Sequence, residues 1–211
     1  VTAAHEPVPV PAAGSGLSPA EGAAEPYDFI LAGGGVSGLA LAHALLGSRL
    51  GAGRILVIDR SPGDADDRTL SYFAAAPTPF DGLAQRAFQV LRYIGAGAAR
   101  DLPLATYRYL TVRGLDFYRF TRDALSGSGS VTLVRGHIDG IEDGDGAAAV
   151  IVDGVRVAGR WVFDSRPEAA ELDLARHDAL LQRFVGWEIE AEAPLFDPEA
   201  ATLFDFASAA D

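Results

Sequence analysis

Apolar patterning is absent from the first 26 residues and begins abruptly at Tyr27. The opening stretch, VTAAHEPVPVPAAGSGLSPAEGAAEP, is rich in Pro, Ala and Gly. It has too few large apolar side chains to cover a core, which predicts a disordered leader. It also lacks the basic start and apolar block of a secretory signal, so it gives no ground for export. The run YDFILA, residues 27–32, then has the length and composition of a buried strand. A helical segment over residues 36 to about 50 follows, and RILVID closes a second strand at Asp59. Strand, glycine turn, helix and strand make one βαβ unit. SPGDADDRT, residues 61–69, is polar throughout and predicts a loop.

Between Phe80 and Leu110 the pattern fits either strands or short helices. The aromatic and β-branched residues of FQVLRYI and TYRYLTV favour strands. RGLDFYRFTRDAL, residues 113–125, spaces Leu115, Phe117 or Tyr118, and Leu125 at helical intervals and ends at SGSGS. VTLVRGHIDGI, AAAVIVDG, VRVAG and RWVFDSRP then read as short strands separated by Gly and Asp turns. Together they predict a meander that finishes in a strand over residues 162–164. No internal repeat is visible.

A chain of 211 residues can build one substantial domain and part of a second. Apolar residues at 49% and charged residues at 22% suit a globular protein, and no run approaches the roughly 18–20 apolar residues that span a bilayer. The net charge of −12 argues against nucleic acid as a partner, because polyanions require basic patches. All 17 basic residues are Arg, and Cys is absent, which removes disulfides, thiolate catalysis and zinc-thiolate sites from consideration. His5, His43, His137 and His177 are scattered without metal-ligand spacing, so no metal is expected. Ser37 within GVSGLAL does not complete the G-x-S-x-G of a hydrolase.

The densest chemical signal is the glycine run after the first strand. Gly33, Gly35 and Gly38 form G-x-G-x-x-G, in which the first glycine permits the tight turn. The second lets a pyrophosphate approach backbone N–H groups, and the third lets the helix pack on the sheet. The helix N-terminus adds partial positive charge facing the anion. Asp59 ends the second strand, where an acid can accept hydrogen bonds from both ribose hydroxyls. Gly33, Gly34, Gly35, Val36, Ser37, Gly38, Asp59 and the adjacent Arg60 are therefore the expected dinucleotide-binding set. The motif does not separate FAD from NAD, and a glycine turn without a ligand is the alternative.

Several further stretches occur in the order of one family. YDFILAGGGVSGLALA, DDRTLSYF (66–73), YRYLTVRGLDFY (107–118), VFDSRP (162–167) and LLQRFVGWEIEAEAPLFDPEAATLFDF (180–206) together resemble the lycopene cyclases, flavoprotein cyclases of carotenoid biosynthesis. The likeness covers nearly all of residues 27–206. Leu70 stands where the family usually has Trp, and Phe204 where it has Met before Asp205. Family members are about twice as long, and the acidic F-L-E-E-T-like motif proposed to donate the proton lies beyond the last matching segment. The resemblance therefore implies an N-terminal half without the family's acid, so the catalytic residue is unknown in this chain.

The resemblance implies an α/β fold. A Rossmann-like FAD-binding βαβ domain would carry an inserted or following β-rich substrate region, incomplete at the C-terminus. The corresponding boundaries are a leader at 1–26, an FAD-binding domain with a β meander at 27–168, and the start of a substrate domain at 169–211. It implies FAD in its reduced form, with NADPH as reductant. The reaction would be non-redox: an acid protonates the terminal double bond of lycopene, the neighbouring double bond attacks the tertiary cation, and loss of a proton leaves a β-ionone ring.

Asp67, Arg68 and Thr69 would lie over the flavin or line the substrate opening on this reading, with Arg68 taken on the cofactor side, which Asp164, followed by Ser165 and Arg166, also joins. An exposed polar turn and a simple Asp164–Arg166 pair are the alternatives. Trp187, Glu188 and Asp205 are the substrate-side candidates, in a stretch that also holds Gln182, Gly186 and Glu190. A Trp face can stack on a polyene, although a Trp beside Phe184 and Ile189 can equally be core. Partners would be lycopene or another linear carotene and, because such a substrate comes from the bilayer, a lipid surface touched peripherally from the cytoplasm. A related FAD-dependent isoprenoid monooxygenase or reductase and a non-catalytic dinucleotide-binding fragment are the competing readings.

Overall fold

The structure is a computed structural model that describes residue 17 and residues 25–61, 68–95, 97–144, 147–166, 186–187 and 189–207. In chain order its strands are β1 (Tyr27–Ala32), β2 (Ile55–Asp59), β3 (Thr69–Ala74), β4 (Ala84–Phe88), β5 (Val90–Gly95), β6 (Ala98–Pro103), β7 (Arg108–Arg113), β8 (Val131–Arg135), β9 (Ile138–Gly144), β10 (Ala147–Val152), β11 (Val155–Asp164) and β12 (Ala200–Asp205). Two α-helices accompany them, α1 (Val36–Leu46) and α2 (Gly114–Ser126). The chain divides into two compact units, Val1–Asp66 with Leu115–Pro167, and Asp67–Gly114 with Glu168–Asp211. Residues 27–168, expected as one domain, are thus interrupted by a 67–114 excursion that groups with the C-terminal stretch.

The first unit is built on a six-stranded sheet of order β8-β2-β1-β11-β10-β9. Its first four strands run parallel, and β11, β10 and β9 are antiparallel to one another in succession. The expected meander over residues 131–164 is therefore corrected at both ends. β8 leaves it to pair with β2, from Ile55↔Val131 to Asp59↔Arg135. VRVAG and RWVFD fuse into the single ten-residue β11, whose second half pairs with β1. A strand flanked by parallel neighbours and covered on both faces needs a continuous apolar run, and this is the pattern of β1 and β2.

Ile30, Ala32, Leu56, Ile58, Val150, Val152 and Val157 form the core of one face of the sheet. Leu17, within the stretch expected as a leader too poor to cover a core, is buried among them. α1 buries Gly38, Leu39, Ala42 and Leu45. It stops at Leu46 rather than near residue 50: the Gly47 N–H makes the last four-residue bond, to the His43 carbonyl, and the next N–H reaches back only three residues. The Ser48 N–H and hydroxyl both bond to the Leu45 carbonyl. α2 matches the expected helix and buries Phe117, Tyr118 and Leu125. Its buried Thr121 hydroxyl donates to the Phe117 carbonyl at 2.8 Å, so no polar cost is left. His43 and Phe120 bring the two helices together, with ring centroids 5.4 Å apart.

The second unit carries two three-stranded sheets, β3-β7-β4 and β12-β5-β6. The 88–94 strand expected from composition is split at Gln89, whose carbonyl accepts the Leu104 N–H as β4 gives way to β5. The excursion starts and returns at adjacent points: Thr69 pairs with Arg113, and the Gly114 N–H donates to the Arg68 carbonyl at 2.9 Å. No helix among the described residues is long and apolar enough to cross a membrane.

Candidate functional site

The glycine turn lies at the carboxyl edge of the parallel strands, between the ends of β2 and β11. Register brings this about: Ala32, the last residue of β1, pairs with Ile58 on one side and Asp164 on the other. Asp59 and Ser165 follow those partners by one residue, so both reach the turn.

Each glycine answers to a different neighbour. Gly33 has φ +113°, a conformation that side chains resist, and a Cβ there would lie 2.5 Å from the Ser165 hydroxyl. A Cβ on Gly34 would meet that of Asp59 at 2.8 Å. A Cβ on Gly38 would collide with the Gly33 carbonyl oxygen, so this glycine sets how closely α1 approaches β1. Gly35 is unlike the rest: its Cβ would enter open space. Nothing in the protein requires glycine there, whereas a ligand approaching the backbone would.

Gly35 is also the N-cap of α1, and no side chain caps the helix or places a carboxylate in its first turn. The Gly35 N–H meets no acceptor among the described residues. An uncapped helix N-terminus beneath open space suits an anion. Val36 is half-buried and Ser37 exposed at this end. The Asp59 carboxylate is oriented by two backbone donors, Gly34 N–H to Oδ2 and Ser61 N–H to Oδ1, both 2.6 Å. Its remaining lone pairs are available to hydroxyl donors. The residues present therefore fit a dinucleotide, with the pyrophosphate at Gly35 and the N-terminus of α1 and a ribose at Asp59.

The other candidates are distributed as follows. Arg60 is exposed, and its carbonyl accepts from Arg135 Nε at 3.3 Å. Asp164 and Arg166 form a two-pronged ion pair at 2.9 and 2.8 Å, and Arg166 Nη1 also donates to the Ile138 carbonyl at 3.2 Å. Hydrogen bonding from Arg166 holds the Asp164 carboxyl below its ordinary value of 3.8. The simple pair is thus the arrangement at the end of β11, tying it to the start of β9. Ser165, between them, is the residue that sequence reading undervalued. Its hydroxyl lies 3.2 Å from the Gly33 carbonyl oxygen and 3.3 Å from that of Ala32, and its N–H donates to Ala32 at 2.9 Å. Only the β1–β11 register reveals this, since 132 residues separate the partners.

Arg68 and Thr69 belong to the second unit, at the entrance to β3, and Asp67 lies outside the described residues. Glu188 and Gln182 lie outside them too. Trp187 is 86% exposed, and Phe184, expected beside it, lies outside the described residues. Asp205 ends β12 and accepts the Ala207 N–H at 2.9 Å. It helps line an open groove of about 920 Å³ in the second unit, with Phe88, Arg92, Leu195, Phe196 and Thr202. Among the described residues no three His, Cys, Asp or Glu gather as metal ligands.

The sequence pattern of the family described as lycopene cyclase protein matches residues 28–211. Curated protein sequences give no match. Among solved structures, p-nitrophenol 4-monooxygenase from Pseudomonas putida is similar at TM-score 0.53 and 18% identity, over 66% of this chain and 40% of that one. A probable FAD-dependent monooxygenase from Pseudomonas aeruginosa gives TM-score 0.51 and 16% identity, over 65% and 42%. A flavoprotein/dehydrogenase from Cytophaga hutchinsonii gives 0.51 and 12%, over 66% and 39%. At these identities the likeness establishes a shared fold. The chain spans about two fifths of the length of each of them.

Proposed function

Because this chain belongs to the lycopene cyclase protein family, we propose that it carries the FAD-binding portion of a lycopene β-cyclase. The observation that carries the cofactor reading is Gly35, a glycine with open space above it at an uncapped helix N-terminus beside an oriented Asp59. Family membership favours FAD over NAD, and the matched monooxygenase from Pseudomonas aeruginosa is described as FAD-dependent.

On this reading the N–H groups at Gly35 and the start of α1 receive the pyrophosphate, and Asp59 accepts from the adenosine ribose. The residues at Gly35, the start of α1 and Asp59 would hold FAD, which in a reduced form maintained by NADPH would supply negative charge to favour a carbocation, the oxyanion-hole principle with its sign reversed. Ring closure begins with a proton delivered to the terminal double bond of a linear carotene and ends with a proton removed from the ring. No residue placed at the dinucleotide site is an acid suited to that delivery: Asp59 accepts from two backbone donors and is given to the ribose, and hydrogen bonding from Arg166 favours the ionised form of Asp164. The proton donor is therefore assigned outside this site. The β-rich unit is the substrate side, with Asp205 and the groove at Phe88, Leu195 and Phe196 as its first candidates. A carotene enters from lipid, so the complete enzyme works as a peripheral membrane protein on the cytoplasmic side.

The test uses the 211-residue chain with FAD and reduced FAD, followed by lycopene in detergent micelles. Saturable FAD binding with lycopene unconverted is the expected result. Conversion to β-carotene by this chain alone would overturn the expectation that the reaction needs the family's acidic motif beyond the matched segments, and absence of FAD binding would overturn the cofactor assignment. The shared fold with monooxygenases supports a second reading, an FAD-dependent isoprenoid monooxygenase or reductase; net oxidation of reduced flavin coupled to product formation would select it.

A further inference from the structure

The peptide joining Gly33 to Gly34 is held at both ends by side chains from different strands. Its carbonyl oxygen lies 3.2 Å from the Ser165 hydroxyl at the end of β11, and its N–H donates to Asp59 Oδ2 at 2.6 Å at the end of β2. A peptide unit is planar, so fixing its two polar ends fixes its rotation about the chain. With that plane set, the direction of the next N–H, that of Gly35, is restricted as well. Gly33 at φ +113° has no side chain to oppose such a rotation, and glycine is the residue with most freedom to undergo it. The turn therefore takes its shape from neighbours rather than from its own residues.

We propose that Ser165 and Asp59 form a two-sided latch on the Gly33–Gly34 peptide that aims the Gly35 N–H and the start of α1 at the pyrophosphate. Ser165 is thereby a positioning residue, and Asp59 has a second task beside ribose recognition. The proposal rests on the FAD reading of the site. It assigns to Ser165 no contact with the cofactor: its hydroxyl is turned to the carbonyls of Ala32 and Gly33. It also accounts for the side chain at this position, because Ser is short enough to stand where a Cβ on Gly33 would lie and still donates a hydrogen bond.

The experiment compares the 211-residue protein with Ser165→Ala and with Ser165→Cys, which keeps the size and has only a weak donor. Amide hydrogen exchange is followed peptide by peptide without ligand, and FAD affinity is measured by fluorescence titration. For Ser165→Ala the expected result is faster exchange confined to residues 33–38 and FAD affinity weaker by roughly three- to tenfold, the worth of one hydrogen bond. Ser165→Cys falls between. Unchanged exchange at 33–38 in both variants would overturn the latch, as would faster exchange spread equally over β1 and β2, the mark of a merely structural role. Local loosening with FAD affinity unchanged would overturn the positioning role. A wild-type protein that binds no FAD would overturn the FAD reading and the positioning role with it, while the exchange data would still judge the latch.

Discussion

At the scale of single residues, the glycine run separates into glycines that packing requires and one, Gly35, that packing does not. Gly38→Ala would drive a methyl into the Gly33 carbonyl and is expected to lower stability by about 1–3 kcal/mol, read from denaturant midpoints. Gly35→Ala meets nothing in the protein and is expected to leave the midpoint near wild type while weakening FAD by roughly tenfold or more, because the methyl holds the pyrophosphate away from the backbone N–H groups and lengthens a charge-assisted hydrogen bond. Equal loss of stability in both variants would refute the distinction. Sequence spacing located the turn and Asp59, because strand length, glycine spacing and a terminal acid are local properties. It could not tell which glycine serves which neighbour, since Ser165 arrives from the far side of the sheet. The Asp164–Arg166 pair belongs to this scale as well. Asp164 titrates lower in the folded chain than in the unfolded one, so the unfolded state binds more protons as pH falls past the ordinary value of 3.8. The pair's contribution, below about 1 kcal/mol at this exposure, is present above pH ~4 and lost as pH falls through the depressed folded value. Unfolding midpoints of wild type and Asp164→Asn are expected to differ at pH 6 and to converge toward pH 2.

Among elements, β1 and β11 are fitted to each other more closely than either sequence suggests. A Cβ on Gly159 would lie 2.6 Å from Ile30 Cδ1 and 2.8 Å from Cγ1, and Ile30 is fully buried. Gly159→Ala is expected to destabilise by about 1–3 kcal/mol through overpacking. Ile30→Val removes the outer methyl, so the double variant should be less destabilised than the sum of the singles; simple additivity would refute the contact. The strand pattern was legible for β1 and β2, where both faces are apolar, and α2 was legible from its helical spacing. The 131–164 region misled for a physical reason. Val131–Arg135 has the same short, β-rich texture as the hairpin strands after it, and only tertiary pairing with β2 sets it apart. Gly159 likewise looked like a turn between VRVAG and RWVFD, whereas inside β11 it makes room for Ile30.

Across the whole molecule, the dinucleotide site draws its described turn, Asp59 and Ser165 from the first unit alone. The second unit leaves at Arg68 and returns at Gly114, two residues joined by a backbone hydrogen bond. Residues 1–167 with 69–113 replaced by a short Gly-Ser linker are therefore expected to unfold cooperatively and to bind FAD within about threefold of the parent chain. Loss of binding would show that the β-rich unit contributes to the site. The resemblance implied an inserted or following β-rich region but not the bounds of the insertion, because no Pro- or Gly-rich linker marks residues 114–115, where helix α2 starts directly after β7. The sheet order also has a consequence in time. β1 gains β2 as a neighbour within 30 residues, but its other flank waits for β11, with Phe29 opposite Trp161. At roughly 5–20 residues per second a ribosome needs about 7–26 s to synthesise the intervening stretch. Throughout that interval the YDFILA strand of a nascent chain has one edge without its native partner, so slower synthesis or fewer chaperones are expected to lower the yield of folded protein.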